Sequence, residues 1–363
     1  MSVVAARQRH ATLPGNAARS RMCKGWTMLR RQFLATAAPG AALLAVRPAL
    51  AAAPELRFAR QFSMGYLQFN VMERQGLVEK HAAALGIPEV KVSWLTFNGP
   101  DAMNGALISD SVDIVSGGIP GLVTLWARTR GTAQEVRGIC ALSSQPCLLN
   151  TRNPALHGIA DLTEADRIAV PTVKVSIQAV TLQMAAAKLF GPAEFAKFDP
   201  LTLSMSPPDA TIALLGGGSG AISCAFSVPP FQEQQLKHSG IRTLLNSFEV
   251  AGPHSFTLAW TSARFRERNP VLYQALLLAL EEATEIVNAD KVAAARLWIE
   301  NVGSKLPIEK VGAVVSGPQV RWTMTPESTM AYAGFMRTAG TVRAAPASWQ
   351  DLFFPEAHGR GGS

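Results

Sequence analysis

Short apolar segments alternate with longer amphipathic segments from Glu55 onward, which is the pattern of repeated βα units. The first series predicts strands at 55–61, 90–97 and 112–117 and helices at 69–86, 100–109 and 120–129. Two further apolar segments, 136–143 and 146–152, predict strands joined by a link that contains proline. Alternating units of this kind indicate parallel or mixed sheets covered by helices, so the predicted fold class is α/β.

A second βα series follows, and after it the chain becomes mostly helical. This series predicts strands at 167–171, 201–206 and 221–226 and helices at 176–191 and 209–216. After a strand at 255–262, Asn269 and Pro270 are predicted to cap and begin a helix whose apolar stripe comprises Leu272, Leu276, Ala279, Leu280, Ala283 and Val287. Another helix is predicted to begin at Thr325-Pro326 and to end at Gly340. Because the βα pattern occurs in 55–127 and again in 167–226, the sequence predicts two similar lobes.

Four of the predicted strands end in comparable turns, "SMGYLQFN", "TFNGPD", "SGGIPG" and "PTVKVS". Glycine lets a backbone approach a ligand closely, and proline suits the first turn of a helix, where N–H groups lack intrahelical acceptors. Ser176 is a predicted N-cap in the fourth turn. Loops at the carboxyl ends of strands gather at one edge of an open α/β sheet, so we expect these turns to surround a cleft.

The composition is that of a globular protein, and the net charge comes from one end of the chain. The 363 residues are 48% hydrophobic and 17% charged, which is enough for two compact lobes. Eight of the 34 Lys and Arg residues lie in 1–51, which contains no Asp or Glu, and the other 26 balance the 26 acidic residues. The excess of +8 therefore belongs to the amino-terminal segment, and nucleic acid is not an expected partner.

The amino-terminal segment has the features of a cleaved export signal. "LRRQFLATAAPGAALLAVRPALAAAP" contains Arg30-Arg31, a short apolar stretch and a small-residue cleavage site at 49–51. The stretch is too short and too often interrupted to span a bilayer. We therefore expect residues 1–51 to be a twin-arginine signal and the mature protein to be periplasmic. Both Met1 and Met28 are candidate starts, since a signal of ordinary length would begin at Met28.

Neither the cysteines nor the histidines suggest a metal or cofactor site. Once Cys23 is lost with the signal, Cys140, Cys147 and Cys224 remain, and both a Cys140–Cys147 disulfide and buried free thiols fit this number. The six histidines show no metal-ligand spacing. "LLGGGSG" (214–220) follows a helix and lacks the Lys-Ser/Thr pair of a phosphate loop, so it is interpreted as a helix C-terminal turn. No cofactor is expected.

Several segments, in order, resemble those of substrate-binding proteins of ABC transporters: "GYLQFNVMERQGLVEK", "VSWLTFNGPDAMNGAL", "VDIVSGGIPGL", "DRIAVPTVKVSIQAVTLQMAA", "PDATIALLGGGSGAIS" and "HSFTLAWTSARF". The most similar branch is that for nitrate, aliphatic sulfonates, taurine and thiamine-pyrimidine precursors. The resemblance implies a two-lobe type II periplasmic binding protein, each lobe a mixed sheet flanked by helices, joined by two crossover segments. The expected lobes are 52–150 with 252–363, and 151–251. A small ligand in the interlobe cleft and a membrane permease would be the partners of a monomeric, non-enzymatic protein.

Two departures from the family pattern leave the solute open. Many sulfonate binders have Lys-Gly-Ser where this chain has Val173-Lys174-Val175-Ser176, and Trp-Asp-Pro where it has 226–230, "FSVPP". Since no arginine clamp is evident, we expect a monoanion or a small neutral heterocycle. An enzyme of the same fold, with Cys224 as its candidate nucleophile, and a ligand sensor are the alternatives.

The candidate ligand-binding residues come from the turns and from apolar positions near them. In the first series they are Tyr66, Gln68, Phe69, Asn98, Gly99, Gly118 and Ile119. In the second series and beyond they are Thr172, Val175, Ser176, Ile177, Phe226 and His254. Trp260 is predicted to be a core residue and Lys174 to be solvated. No serine has an evident histidine and carboxylate partner, so no catalytic residue is assigned.

Overall fold

The computed structural model describes residues 53–218 and 222–363, and the export signal predicted at 1–51 lies outside them. Eleven strands are present in this part of the chain. They are β1 Glu55–Gln61, β2 Lys91–Phe97, β3 Ile114–Gly117, β4 Val136–Ser144, β5 Leu148–Thr151, β6 Ile168–Val170, β7 Thr202–Ser204, β8 Cys224–Ser227, β9 Arg242–Asn246, β10 Ser255–Ser262 and β11 Arg321–Trp322.

The strands form two mixed sheets, each the centre of one lobe. The six-stranded sheet of the first lobe has the order β11-β4-β10-β3-β1-β2, and the five-stranded sheet of the second lobe has the order β7-β6-β8-β5-β9. In each, three strands are parallel: β2, β1 and β3 in the first, and β7, β6 and β8 in the second. The other pairings are antiparallel. This confirms the prediction of a two-lobe α/β fold.

Thirteen α-helices of this part of the chain surround the sheets. They are α1 Leu67–Gln75, α2 Leu77–Ala84, α3 Pro100–Ile108, α4 Ile119–Thr129, α5 Ile177–Phe190, α6 Pro207–Gly216, α7 Phe231–Gln235, α8 Ser247–Ala251, α9 Ala263–Arg268, α10 Pro270–Ala289, α11 Lys291–Val302, α12 Ile308–Val315 and α13 Thr329–Thr338. No helix among the described residues is both long and apolar enough to cross a bilayer.

The chain crosses between the lobes twice. It leaves the first sheet after Ser144, enters the second at Leu148, and returns between Asn246 and Ser255. Strand β5, in which the expected boundary at 150/151 falls, pairs with β8 and β9 of the second sheet. The first crossover therefore connects β4 to β5, and the second connects β9 to β10 through α8.

Three local predictions are wrong. The helix expected over 69–86 is two helices, because Gly76 adopts a left-handed conformation (φ 61°) that ends α1 and begins α2. The helix expected from Thr325 begins at Thr329, after Ser328 with φ 54°. Asn269 precedes α10 as predicted but does not cap it with its side chain, whose Nδ2 donates to the Phe265 carbonyl (3.1 Å).

The predictions of core residues on α10 and at Trp260 are confirmed. All six residues of the predicted α10 stripe are buried, and most pack with α1 and with the outer face of the first sheet. Trp260 on β10 is fully buried, and its Nε1 donates to Asn104 Oδ1 (3.2 Å). Cys140, Cys147 and Cys224 are all buried free thiols, so the disulfide alternative is not formed.

Candidate functional site

The four predicted turns meet in a cleft between the lobes. The cavity there measures about 20 Å³. Its lining comes from both lobes: Gln61, Phe62, Ser63, Tyr66, Pro100, Gly118, Pro171, Ser176, Ile177, Gln178, Pro207, Val228 and Phe256. A cavity of this size holds about one water molecule, so a larger solute enters only if the lobes separate.

Two helix N-termini face each other in this cleft. Helix α4 begins after Gly118 and α5 after Ser176, and a Cβ added at Gly118 would lie 2.7 Å from Ile177 Cβ. The Ser176 Oγ accepts from the Ala179 N–H (3.3 Å), as predicted for an N-cap. The N–H groups of Ile177 and Gln178 have no intrahelical acceptor, as at the start of any helix. Both helices therefore present polar backbone groups and positive dipole ends to the same small volume.

The absence of charge among the lining residues defines the chemistry of the cleft. None of the thirteen is charged, and their polar side chains are Gln61, Ser63, Tyr66, Ser176 and Gln178. The Gln61 Nε2 donates to the Tyr66 hydroxyl (3.1 Å). Burial raises the pKa of Tyr66, so its hydroxyl stays protonated and can act as a donor. The cleft therefore offers uncharged hydrogen-bonding groups, the Tyr66 hydroxyl among them, together with apolar surface.

An acidic side chain lies at the exposed side of the cleft. The Thr172 Oγ1 of the second lobe donates to Asp101 Oδ1 in the first turn of α3 (2.8 Å). Gly99 makes this approach possible, since a Cβ there would overlap Thr172 Oγ1. Glycine at 99 is thus required by contact between the lobes and not by its own conformation, which is extended (φ −162°).

A second set of contacts joins the lobes at the end of β1. The Met64 N–H and the Ser63 hydroxyl both donate to the Pro229 carbonyl, at 2.9 and 3.0 Å. Pro229 follows β8 in the second lobe. Opening the cleft must break these polar contacts, and also the buried hydrogen bond between Thr181 of α5 and Tyr332 of α13 (2.8 Å).

The structure brings some of the predicted site residues to the cleft and places others elsewhere. Tyr66, Gly118, Ser176 and Ile177 line it, while Gly99 and Thr172 make the adjoining contact between lobes. The remaining turn residues differ in exposure: Asn98 is exposed, Val175 is half-buried and Ile119 is buried in the core, all outside the lining. Lys174, for which solvation is predicted, is exposed.

Two aromatic residues expected at the cleft walls are core residues instead. Phe69 packs edge-to-face against Phe58, with 5.2 Å between ring centroids, and against Trp94 at 5.4 Å. Phe226 on β8 is 2% exposed and pairs across the sheet with Leu149. Tyr66 precedes α1 and Val228 follows β8, so these two residues at the ends of the elements reach the cleft, while the two rings inside the elements do not.

His254 lies at the second crossover and is fully buried. Its Nε2 lies 3.0 Å from Ser247 Oγ and its Nδ1 3.2 Å from the Ser255 carbonyl. The Ser247 Oγ also accepts from the Cys147 N–H (2.9 Å), so the network joins both crossovers. Burial lowers the pKa of His254 to about 4, which keeps the imidazole neutral at physiological pH. His254 therefore holds the crossovers together and does not line the cleft.

Gln68 also lies behind the cleft, in a layer of buried polar groups. Its Nε2 donates to the Leu142 carbonyl, and its Oε1 has no protein partner among the described residues. The same holds for Gln145, whose Nε2 donates to Ser143 Oγ (3.1 Å) while its Oε1 is unpaired. Both residues are fully buried. This layer of buried polar groups lies behind the turn that contains Tyr66.

The lining residues that the sequence reasoning missed fall into two groups. Phe62, Ser63, Pro100 and Pro171 lie in or beside the quoted turns, so the same argument would have found them had every turn residue been considered. The other group is Gln61, Gln178, Pro207, Val228 and Phe256. Val228 and Phe256 follow or begin strands next to a crossover, and nothing in the sequence marks them as facing the cleft.

Cys224, the candidate nucleophile of the enzyme alternative, is buried on β8. Its Sγ donates to Thr151 Oγ1 (3.4 Å), and desolvation raises its pKa. A thiol in this environment is not activated as a thiolate. The residue has the properties of a packing cysteine.

Comparison with solved structures supports the fold. The chain is similar to the alkanesulfonate-binding protein SsuA from Xanthomonas axonopodis pv. citri bound to MOPS (19% identity, TM-score 0.59, 80% of this chain and 96% of that one). It is also similar to the periplasmic aliphatic sulphonate binding protein SsuA from Escherichia coli (19%, 0.59, 83% and 92%). A third is the periplasmic nitrate-binding protein NrtA from Synechocystis PCC 6803 (15%, 0.56, 75% and 74%). No protein-family model matches the sequence, and no curated protein matches it significantly. At these identities the similarity establishes the periplasmic binding protein fold.

Proposed function

We propose that this protein binds a small solute in the interlobe cleft and delivers it to an ABC importer. The observation that carries the proposal is the meeting of α4 and α5, whose N-termini lie against each other at Gly118 and Ile177 in a cavity lined by both lobes. Two lobes that close on a polar cavity and are joined by crossovers are suited to capture by hinge closure. The solved structures with this fold include sulfonate- and nitrate-binding proteins.

The solute that fits the cleft is a monoanion or a small neutral heterocycle. Backbone N–H groups, the Ser176 hydroxyl and the Tyr66 hydroxyl would donate to it, and Phe256 and Ile177 would form apolar walls. The lining contains no guanidinium or ammonium group to compensate a second negative charge, and the Asp101 carboxylate lies nearby. A dianion is therefore disfavoured.

The proposed location is the periplasm, and the proposed lobes have the bounds predicted from the sequence. Export by the twin-arginine route would follow from Arg30-Arg31, and the lobes would comprise 52–150 with 252–363, and 151–251. Cell fractionation tests the location: the processed protein is expected in the periplasm. Unprocessed protein confined to the cytoplasm would contradict both export and delivery to an importer.

Native mass spectrometry of protein purified without added ligand tests solute binding. We expect a small molecule that remains bound in gentle ionisation and is lost after unfolding and refolding. Calorimetric titration of the refolded protein with that molecule, and with nitrate, taurine and short alkanesulfonates, then gives the affinity. Protein that carries no small molecule and binds none of these solutes would overturn the proposal.

Gly118→Val tests whether the cleft is where the solute binds. Gly118 has φ −74° and ψ 160°, which any residue adopts, so the substitution adds no backbone strain, and a fall in melting temperature would reflect the contact with Ile177 alone. Its side chain would collide with Ile177 and hold the helix N-termini away from a solute, which should weaken binding by about tenfold or more.

Gly105→Val is the matched control, because glycine 105 on α3 has nothing within 4 Å of an added Cβ. This variant should bind the solute as the wild type does, apart from a small change in helix stability. Equal affinity of wild type and Gly118→Val would show that the solute binds elsewhere.

A further inference from the structure

A second and larger cavity lies beside the cleft. It measures about 430 Å³ and shares Gln61, Phe62 and Ser63 with the cleft lining. Its remaining walls come from the first lobe (Arg60, Asn70, Thr96, Trp298, Asn301, Val302, Ser304 and Leu306) and from the start of α7 in the second (Pro230, Phe231 and Gln234). The cavity is therefore bounded by both lobes, as the cleft is, but it is roomy enough for a small organic molecule.

One wall of the cavity carries a guanidinium group. Arg60 Nη2 lies 2.6 Å from Glu73 Oε2, and the Arg60 Cζ lies 5.5 Å from the Trp94 ring centroid. With the Asn70 amide oriented to satisfy its neighbours, Arg60 Nη1 donates to its oxygen (3.2 Å). Arg60 lines the cavity and Glu73 does not. Since a guanidinium has five N–H donors, Arg60 can still donate to an acceptor in the cavity.

A second donor in the lining has no partner. Trp298 is 6% exposed, and its Nε1 makes no hydrogen bond to any described residue. A buried indole N–H normally has an acceptor, because leaving it unpaired costs free energy. Three of the other described tryptophans, Trp126, Trp260 and Trp322, each donate their indole N–H to an acceptor. The Nε1 atom itself is fully buried, so a ligand in the cavity would reach it only if this side chain moved.

The rest of the lining is apolar, and part of it is exposed to solvent. Phe62 is 39% exposed and Val302 46%, while Phe231 and Leu306 are half-buried. Large apolar side chains that frame a cavity with a few polar groups are typical of a small-molecule site.

From this combination we propose that the cavity is a separate binding site for a small amphipathic anion. Its apolar body would pack against Phe62, Val302 and Leu306, and its carboxylate or sulfonate group would accept from Arg60. This site goes beyond the proposed solute of the cleft, whose lining has no charged group, and neither proposal depends on the other.

The dye 8-anilinonaphthalene-1-sulfonate tests this site, because it joins an aromatic body to one sulfonate. Fluorescence titration of the full, folded chain should give saturable binding with one site per molecule. N-phenyl-1-naphthylamine has the same aromatic body without the sulfonate, and should bind about tenfold or more weakly because it cannot accept from Arg60. Equal affinity of the two dyes would overturn the assignment of the anion to Arg60.

Two tryptophan substitutions on the edge strand β2 locate the site. Thr96 lines the cavity and is paired in register with Arg60, so the side chain of Thr96→Trp would fill it. Leu95 is 39% exposed on the opposite face of the same strand and is not in the lining. We expect Thr96→Trp to abolish saturable dye binding and Leu95→Trp to retain it. Retention by both variants, with melting temperatures that show folded protein, would overturn the proposal.

Arg60→Met then tests the donor directly, and should weaken binding of the sulfonate dye about tenfold without changing that of the neutral dye. Gly105→Val, at a position that lines neither cavity, should bind the dye as the wild type does. Dye binding that is lost in Gly118→Val but kept in Thr96→Trp would move the dye to the cleft and refute the second site. Absence of any dye binding would also refute it, while the solute titrations of the cleft would stand unchanged.

Discussion

Single residues at the crossovers set how the protein responds to acid. His254 is enclosed by Ser247, Ser255, Phe248 and Tyr332, and no carboxylate lies among these neighbours to stabilise a charged imidazole. Its neutral form accepts from the Ser247 hydroxyl and donates to the Ser255 carbonyl. Protonation would therefore both bury a charge and remove an acceptor at the point where the two crossovers touch.

We predict a loss of stability between pH 6.5 and pH 4 that originates in His254. The folded pKa is about 4 and the ordinary value is 6.5, so the unfolded chain binds the proton first as the pH falls. The contribution is fully present above pH 6.5 and decreases by on the order of 3 kcal/mol as the pH approaches 4. Urea unfolding at pH 7 and pH 4.5 measures it.

His254→Gln supplies the control, because glutamine can hydrogen-bond but does not titrate. Its free energy of unfolding should be lower than that of the wild type at pH 7 and should depend less on pH over this range. Identical pH dependence in the two proteins would show that other groups cause the acid sensitivity.

At the scale of elements, the break between α1 and α2 is the clearest departure from the sequence pattern. Apolar periodicity continues through Gly76, so the pattern alone predicts one helix. The left-handed conformation of this one residue turns the chain, and α2 then packs against α10 in a different direction.

The effect of Gly76→Ala on the free energy of unfolding has opposite signs for two separate helices and for one continuous helix. Alanine in a left-handed conformation is strained, so the substitution should lower the free energy of unfolding by about 1 kcal/mol. Gly105→Ala, inside α3 and with free space around it, should raise it by 0.5 to about 1 kcal/mol. Chemical denaturation measures both, and stabilisation by Gly76→Ala would mean that α1 and α2 are one helix.

The sequence could predict features that depend on local residue types, and could not predict those that depend on packing between distant segments. Turn chemistry at Ser176, Gly99-Pro100 and Gly118 depends on local residue types, so the cleft could be located from the sequence. Which side chains reach it depends on strand register and on packing between lobes. Phe69 and Phe226 illustrate this: both are apolar and near a turn, but both are buried in the core and lie outside the cleft lining.

At the scale of the whole molecule, closure depends on polar and apolar contacts between the lobes. The Thr172–Asp101 hydrogen bond at the exposed side and the two bonds to the Pro229 carbonyl join the lobes directly, as does the buried Thr181–Tyr332 bond. Each of these bonds contributes about 1 kcal/mol, and α5 also packs against α4 and α13.

We predict that Thr172→Val shifts the molecule toward separated lobes, because valine keeps the shape of threonine but cannot donate to Asp101. The radius of gyration from small-angle X-ray scattering should increase. Thr202→Val loses a hydrogen bond of the same kind within the second lobe, from Oγ1 to the Asp199 carbonyl (2.7 Å), and should leave the radius unchanged. Equal radii in all three proteins would show that this bond does not hold the lobes together.

Because Gly118 contacts Ile177 across the cleft, the angle between the lobes should depend on the width of the bound solute. A wedge inserted between these two helix ends rotates one lobe against the other about the crossovers at 145–147 and 247–254. The angle grows with the thickness of the wedge, and the two lobes separate in proportion. The spacing of labels at the exposed positions 98 and 174, one in each lobe, should therefore rise with solute width, and a membrane partner that touches only the outer surface could tell one solute from another without contacting either.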